Sequence, residues 1–133
     1  MSPYLPWIDA WESAAFGPKG FYGEFGSGGT NPYQHFDTAV RSDPDLSGKI
    51  FPYLLEAYEN CGSPAEFLIL DSGGSDGSLI ASVNTSIAEH GLDWNTQVFD
   101  VSSGDIRHIG IREEFGIVIA HELLDDIPAT VIE

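Results

Sequence analysis

Three groups of residues in this chain have types and spacings suited to chemistry. The first is Asp71-Ser72-Gly73-Gly74-Ser75-Asp76-Gly77, a carboxylate that runs directly into a glycine-rich turn. The second is Asp100, and the third is His121-Glu122-Leu123-Leu124-Asp125-Asp126. Glycine lets backbone approach a ligand closely, and a helix that starts just after such a turn offers partly positive N–H groups. A carboxylate roughly 20 residues further on, at the tip of a second strand, is placed to grip a ribose diol by paired hydrogen bonds. Asp100 meets that spacing, although an aspartate there also suits capping of the Ser102-Ser103-Gly104 turn. Histidine is the side chain that exchanges protons near neutral pH, and carboxylates orient cationic groups. The plainer use of His121, Asp125 and Asp126 is to satisfy backbone groups and cap the turn that follows.

The glycine spacing narrows the ligand. A dinucleotide fingerprint requires G-x-G-x-x-G. Counted from Gly73, the third and sixth positions are Ser75 and Ser78, and counted from Gly74 the third is Asp76, so neither register fits. Asp76 beside the turn repels phosphate, which favours an uncharged ribose and a zwitterionic tail over a pyrophosphate. His121-Glu122-x-x-Asp125 imitates the H-E-x-x-H zinc motif with its second histidine replaced. That motif belongs inside a helix, and here it follows a strand, so no metal site is expected.

These residues need elements to hold them. Phe67-Leu68-Ile69-Leu70 is a short apolar run bounded by turn signals, which predicts a buried strand ending at Asp71. Leu79, Ile80, Val83 and Ile87 fall on one face of the helix expected next, with Gly91 at its C′ position. Thr96 to Val101 predicts a second strand. Phe115 to Ala120 predicts a third, covered on both faces as parallel strands usually are. Upstream, Pro6 to Phe16 predicts a short helix with Ile8, Trp11 and Ala15 on one face, followed by a glycine- and aromatic-rich loop from Gly17 to Pro32. His35 to Val40 reads as an extended piece leading into a helix. Ser42 and Pro44 signal a helix start, and a stripe of Leu46, Ile50, Leu54, Ala57 and Tyr58 continues to about Asn60. Pro52 predicts a kink or a restart within it. The expected organisation is an N-terminal helical and glycine-rich extension over 1–64 and a nucleotide-binding α/β unit over 65–133.

Composition limits the partners. The chain has 133 residues, 42% of them hydrophobic, and 5 Lys+Arg against 21 Asp+Glu give a net charge of −16. That field repels nucleic-acid backbones and anionic lipid, leaving basic protein segments, or no partner at all, as the compatible readings. Cys61 is the only cysteine, which excludes an intrachain disulfide. No signal peptide and no apolar stretch near the ~20 residues of a membrane span is present, so a soluble, cytoplasmic protein is expected.

The acid-x-Gly-x-x-x-Gly turn resembles motif I of class I S-adenosylmethionine (SAM) methyltransferases, E/D-x-G-x-G-x-G, with Ser75 at the middle glycine. Val98-Phe99-Asp100-Val101-Ser102, then Ile117 to Pro128, and His35-Phe36-Asp37-Thr38 upstream, extend the likeness to the MidA-type SAM-dependent methyltransferases. That family includes the mitochondrial complex I assembly factor that methylates protein arginine. The resemblance implies a Rossmann-like class I SAM-methyltransferase fold with an incomplete parallel sheet and an N-terminal helical and loop extension. It implies SAM as cofactor, held by Asp71, Ser72, Gly73, Gly74, Gly77 and Asp100. Glu122, His121 and Asp125 would face the acceptor, a protein substrate bearing a basic (arginine) side chain. His121 replaces the family's asparagine, the span from Ser102 to Phe115 is shorter, and the chain ends within an expected strand at 129–133. A reduced or partial version is therefore expected, with self-association through an open sheet edge. A non-catalytic binding or assembly module, and a metal-dependent hydrolase, remain alternative readings of the same residues.

Overall fold

The computed structural model describes residues 5–22, 37–74, 76–99, 110–112, 115–123 and 127. By its internal contacts the chain divides into two units, residues 1–37 with 124–133, and residues 38–123. Within the first, α1 (Trp7–Phe16) follows Pro6, whose fixed φ suits a helix entry. Ile8, Trp11 and Ala15 share its half-buried face as the spacing predicts, and the Trp7 and Trp11 rings lie 5.3 Å apart. The amides of Phe21 and Tyr22 donate to the carbonyls of Ala14 and Ala15, and Tyr22 stacks on Phe16, so the start of the glycine-rich segment folds back as a turn. The rest of that segment lies outside the described residues.

The second unit contains α2 (Ala39–Ser42), α3 (Leu46–Asn60), β1 (Leu68–Ser72), α4 (Ser78–Glu89), β2 (Asn95–Phe99) and β3 (Gly116–Ile119). Among the described residues the strands form one parallel sheet in the order β2-β1-β3. This is a mixed α/β arrangement with a small parallel sheet, compatible with part of a Rossmann-like fold. The order follows from the connections. β1, α4 and β2 make a βαβ unit, and the chain then returns past β1 to lay β3 on its other side, so that β1 is central. All of β1 is buried.

The core lies between the sheet and the α3–α4 layer. Phe51 and Leu54 of α3, Phe67, Ile69 of β1, Trp94, and Leu79, Ile80, Val83 and Ile87 of α4 form one cluster. The α4 residues are those the helical spacing selects, and each is buried. Both helices end in paired bonds through a left-handed glycine. Gly91 donates to Ala88 and Leu92 to Ile87, while Gly62 donates to Glu59 and Ser63 to Tyr58.

Three expectations change. Of the kink or restart expected at Pro52, the restart does not occur, and α3 runs through it as one helix. Pro52 is exposed, so the Gly48 carbonyl left without its usual donor at Pro52 is on the solvent side of the helix. Second, the helix start signalled at Ser42 and Pro44 divides in two. α2 ends at Ser42, and α3 begins only after a turn in which Asp43 Oδ1 accepts from the Asp45 amide and Lys49 pairs with Asp43 Oδ2 at 2.6 Å. Third, β3 is not covered on both faces. Ile117 and Ile119 pack against the core cluster, but Val118 is 59% exposed on the opposite face. The expected strand at 129–133 lies outside the described residues. No helix among the described residues is long and apolar enough to cross a membrane.

Candidate functional site

The carboxyl end of β1 sits between its neighbours. Asp71 lies opposite Val98 of β2 and Ile119 of β3, and Ser72 lies opposite Phe99. The Gly73 amide extends the ladder by one bond to the Phe99 carbonyl, at 2.6 Å. Gly73 then adopts φ +83, a left-handed value that turns the chain off the sheet and that a side chain would strain. Gly77, at φ +73, donates to the Gly74 carbonyl and opens α4. Strand, glycine turn and helix are therefore arranged as the residue types predict.

Asp71 is the unusual group. It is 1% exposed, and its Oδ2 has no hydrogen-bond partner. The carboxylate lies against the Cα of Gly74, where any Cβ would collide with it. A buried acceptor left unpaired is costly, and such a group in a native structure calls for an explanation. Burial pushes its carboxyl up from the ordinary 3.8 to about 6, and the charge of His121 opposes that rise.

The start of α4 carries its own anion. Asp76 Oδ1 accepts the Ser78 amide at 3.0 Å, so a carboxylate already occupies the position where a phosphate would bind. The pattern Asp-x-Ser at a helix start is a local signal for such a bond.

Across the strand tips, β3 leads into His121, Glu122 and Leu123. His121 is half-buried and Glu122 is exposed. Glu122 has φ +52, a left-handed backbone in a residue with a Cβ, which costs on the order of 1 kcal/mol and persists only where the surroundings impose it. Its Oε1 accepts the amide of Ala39, the first residue of α2, at 3.3 Å. Leu123 lies over the glycine turn, with its Cδ1 2.9 Å from where a Cβ on Gly73 would stand. Nothing in the sequence signals these last two contacts, which join residues far apart in the chain.

Asp71, Ser72, Gly73, Gly74 and His121, Glu122 are thus gathered at the carboxyl ends of adjacent strands, and Gly77 packs towards Val98 of β2. Asp100 and Asp125 lie outside the described residues, as does Ser75. Among the described residues, no group of three or more His, Cys, Asp or Glu side chains is placed to hold a metal ion. A separate open hollow lined by Leu68, Leu70, Ile111, Phe115 and Val118 contains none of the candidate residues. No family model, no curated protein and no solved structure matches the chain.

Proposed function

We propose that this chain binds SAM at the carboxyl ends of its parallel strands and serves methyl transfer, with a protein arginine as the acceptor implied by the resemblance. The observation that carries the reading is the buried, unpartnered Asp71 carboxylate beneath a turn of glycines. Such a group is suited to a ligand that brings hydrogen-bond donors, above all a protonated amine, and is hostile to a phosphate. SAM offers a zwitterionic amino-acid tail and a ribose. Asp71 would accept from that tail, Gly73, Gly74 and Gly77 would let it approach the backbone, and Asp100 would take the ribose hydroxyls. When bound, SAM supplies a methyl group already activated on a sulfonium. The protein's task is then to position the acceptor in line and exclude water. Glu122 and Asp125 are carboxylates of the kind that orient a guanidinium, and His121 is the group available to accept its proton.

A second reading, a SAM-fold module without turnover, draws on one observation. The Glu122 Oε1 accepts the Ala39 amide, so one oxygen of that carboxylate is already engaged within the chain. Calorimetric titration with SAM and with S-adenosylhomocysteine tests the shared premise. Saturable binding by the wild type, weakened at least tenfold in Asp71→Asn, is the expected result, a loss of about 1.4 kcal/mol or more. A folded wild-type chain that binds neither compound would sink the SAM reading. Binding of both without methyl transfer to any arginine-bearing protein would favour the module.

A further inference from the structure

Asp71 is too well covered to meet a ligand as the molecule stands. Its Oδ2 has neither a partner nor access to water. Gly74 closes one side of the carboxylate, and Leu123 is seated on the adjoining Gly73. The segment that brings Leu123 there is the short turn after β3, and two features mark that turn. One is the left-handed backbone of Glu122, and the other is the bond from the Ala39 amide to the Glu122 carboxylate. The bond crosses from the turn to the chain that precedes α3, so it ties two separate segments together over the strand tips. A strained backbone held by one exposed hydrogen bond is a device that can release.

We infer that Glu122 is a latch: its bond to the Ala39 amide holds the His121–Leu123 turn closed over Gly73, the residue that adjoins the Asp71-Ser72 strand end, and releasing that bond opens the ligand site. On this account Glu122 has a positioning role through Leu123, in addition to the acceptor contact proposed for it above. The inference rests on the reading that the ligand engages Asp71, but its central claim concerns the cover and can be tested without ligand. Release needs no chemistry. The amide exchanges its carboxylate partner for water, and Glu122 is free to leave the left-handed region. A cationic acceptor that pairs with Glu122 would compete for the same carboxylate, coupling acceptor arrival to opening.

Ala39→Pro removes the donor with little other disturbance. Proline is well tolerated at the first position of a helix, and Thr38 already has the extended backbone that a following proline requires. Glu122→Gln keeps an acceptor oxygen and serves as the conservative control. Carbon-detected NMR titration of the Asp71 carboxyl is the first measurement. In the wild type it should titrate near 6, as a buried acid does. In Ala39→Pro it should move towards the ordinary carboxylate range, with Glu122→Gln staying close to wild type. Stopped-flow association with SAM is the second, with a rate about fivefold faster in Ala39→Pro, the factor expected when a hydrogen bond of ordinary strength is lost from the closed state. An Asp71 titration unchanged in Ala39→Pro would overturn the latch, whatever SAM does. A shifted titration with no SAM binding in any variant would uphold the latch and discard SAM as the ligand.

Discussion

Asp71 decides how this molecule responds to pH. Its carboxyl titrates at about 6 in the folded chain because burial disfavours the charge, against 3.8 when unfolded. The folded state therefore binds the proton more tightly. The associated stability is fully present below about 3.8, declines as pH rises, and is gone above about 6. At neutral pH the ionised carboxylate weighs against folding by up to about 3 kcal/mol, taking 1.36 kcal/mol for each pH unit of difference. Asp71→Asn removes that charge at nearly constant shape. Denaturant unfolding at pH 4 and at pH 7.5 should show the variant gaining on the wild type by up to this amount between the two conditions. The same substitution should weaken SAM binding. A variant that is more stable and binds less would mark Asp71 as a group kept for its ligand. Equal stability at both pH values would mean that water reaches the carboxylate after all. An acid at a strand end before a glycine turn is legible in the sequence, but its isolation is not, because that depends on the approach of Gly74 and on the strands that flank β1 on both sides. The bond from the Ser78 amide to Asp76 has a local signal in the Asp-x-Ser pattern, although only the charge of Asp76 enters the expectation drawn from the sequence. The Glu122–Ala39 bond depends on how distant segments meet and is invisible in local residue types.

Helices and strands were readable wherever a single periodicity dominated. The apolar run ending at Asp71, the buried stripe of α4 and the left-handed Gly91 each follow from short-range rules, and all three are found. Where two signals competed, tertiary packing chose between them. Pro52 is a strong breaker, yet Phe51 and Leu54 both anchor α3 in the core, and their burial holds one helix across the break. β3 has the uniform apolarity of a strand covered on both sides, but only the face carrying Ile117 and Ile119 meets the core cluster. α3 therefore carries an avoidable cost. An interior proline is less favourable than alanine by about 3 kcal/mol, of which roughly 1 kcal/mol is returned because proline also restricts the unfolded chain. Pro52→Ala should raise the unfolding free energy by about 1–2 kcal/mol without altering ligand binding, since Pro52 is exposed and belongs to none of the segments that form the candidate site. Thermal unfolding followed by circular dichroism would show it. A lower midpoint would mean that the proline is needed where it is, for example to bend α3 onto the sheet.

The charge of the chain acts on all of these elements at once. With 21 acids against 5 bases, repulsion extends across the surface. The ion pair of Lys49 with Asp43 lies on the outside of the α2–α3 turn, where such a pair contributes little. The compact state brings the carboxylates closer together than the unfolded chain does, so their mutual repulsion opposes folding, and salt relieves it. Lowering the Debye length from ~30 Å at 0.01 M to ~8 Å at 0.15 M should raise the unfolding midpoint with sodium chloride, and most of the gain should come before 0.3 M. The increase should persist in Asp71→Asn, because Asp71 is buried and its cost is one of desolvation, which salt does not screen. That contrast separates the two sources of electrostatic instability. If salt leaves the midpoint unchanged, the surface acids must already be spaced beyond one another's reach, and the excess of acid would then bear on solubility and on the attraction of basic partners, not on the stability of the fold. If salt and Asp71→Asn prove interchangeable, the carboxylate at the end of β1 is in contact with solvent, and the role proposed for it as the buried anchor of a ligand site falls with it.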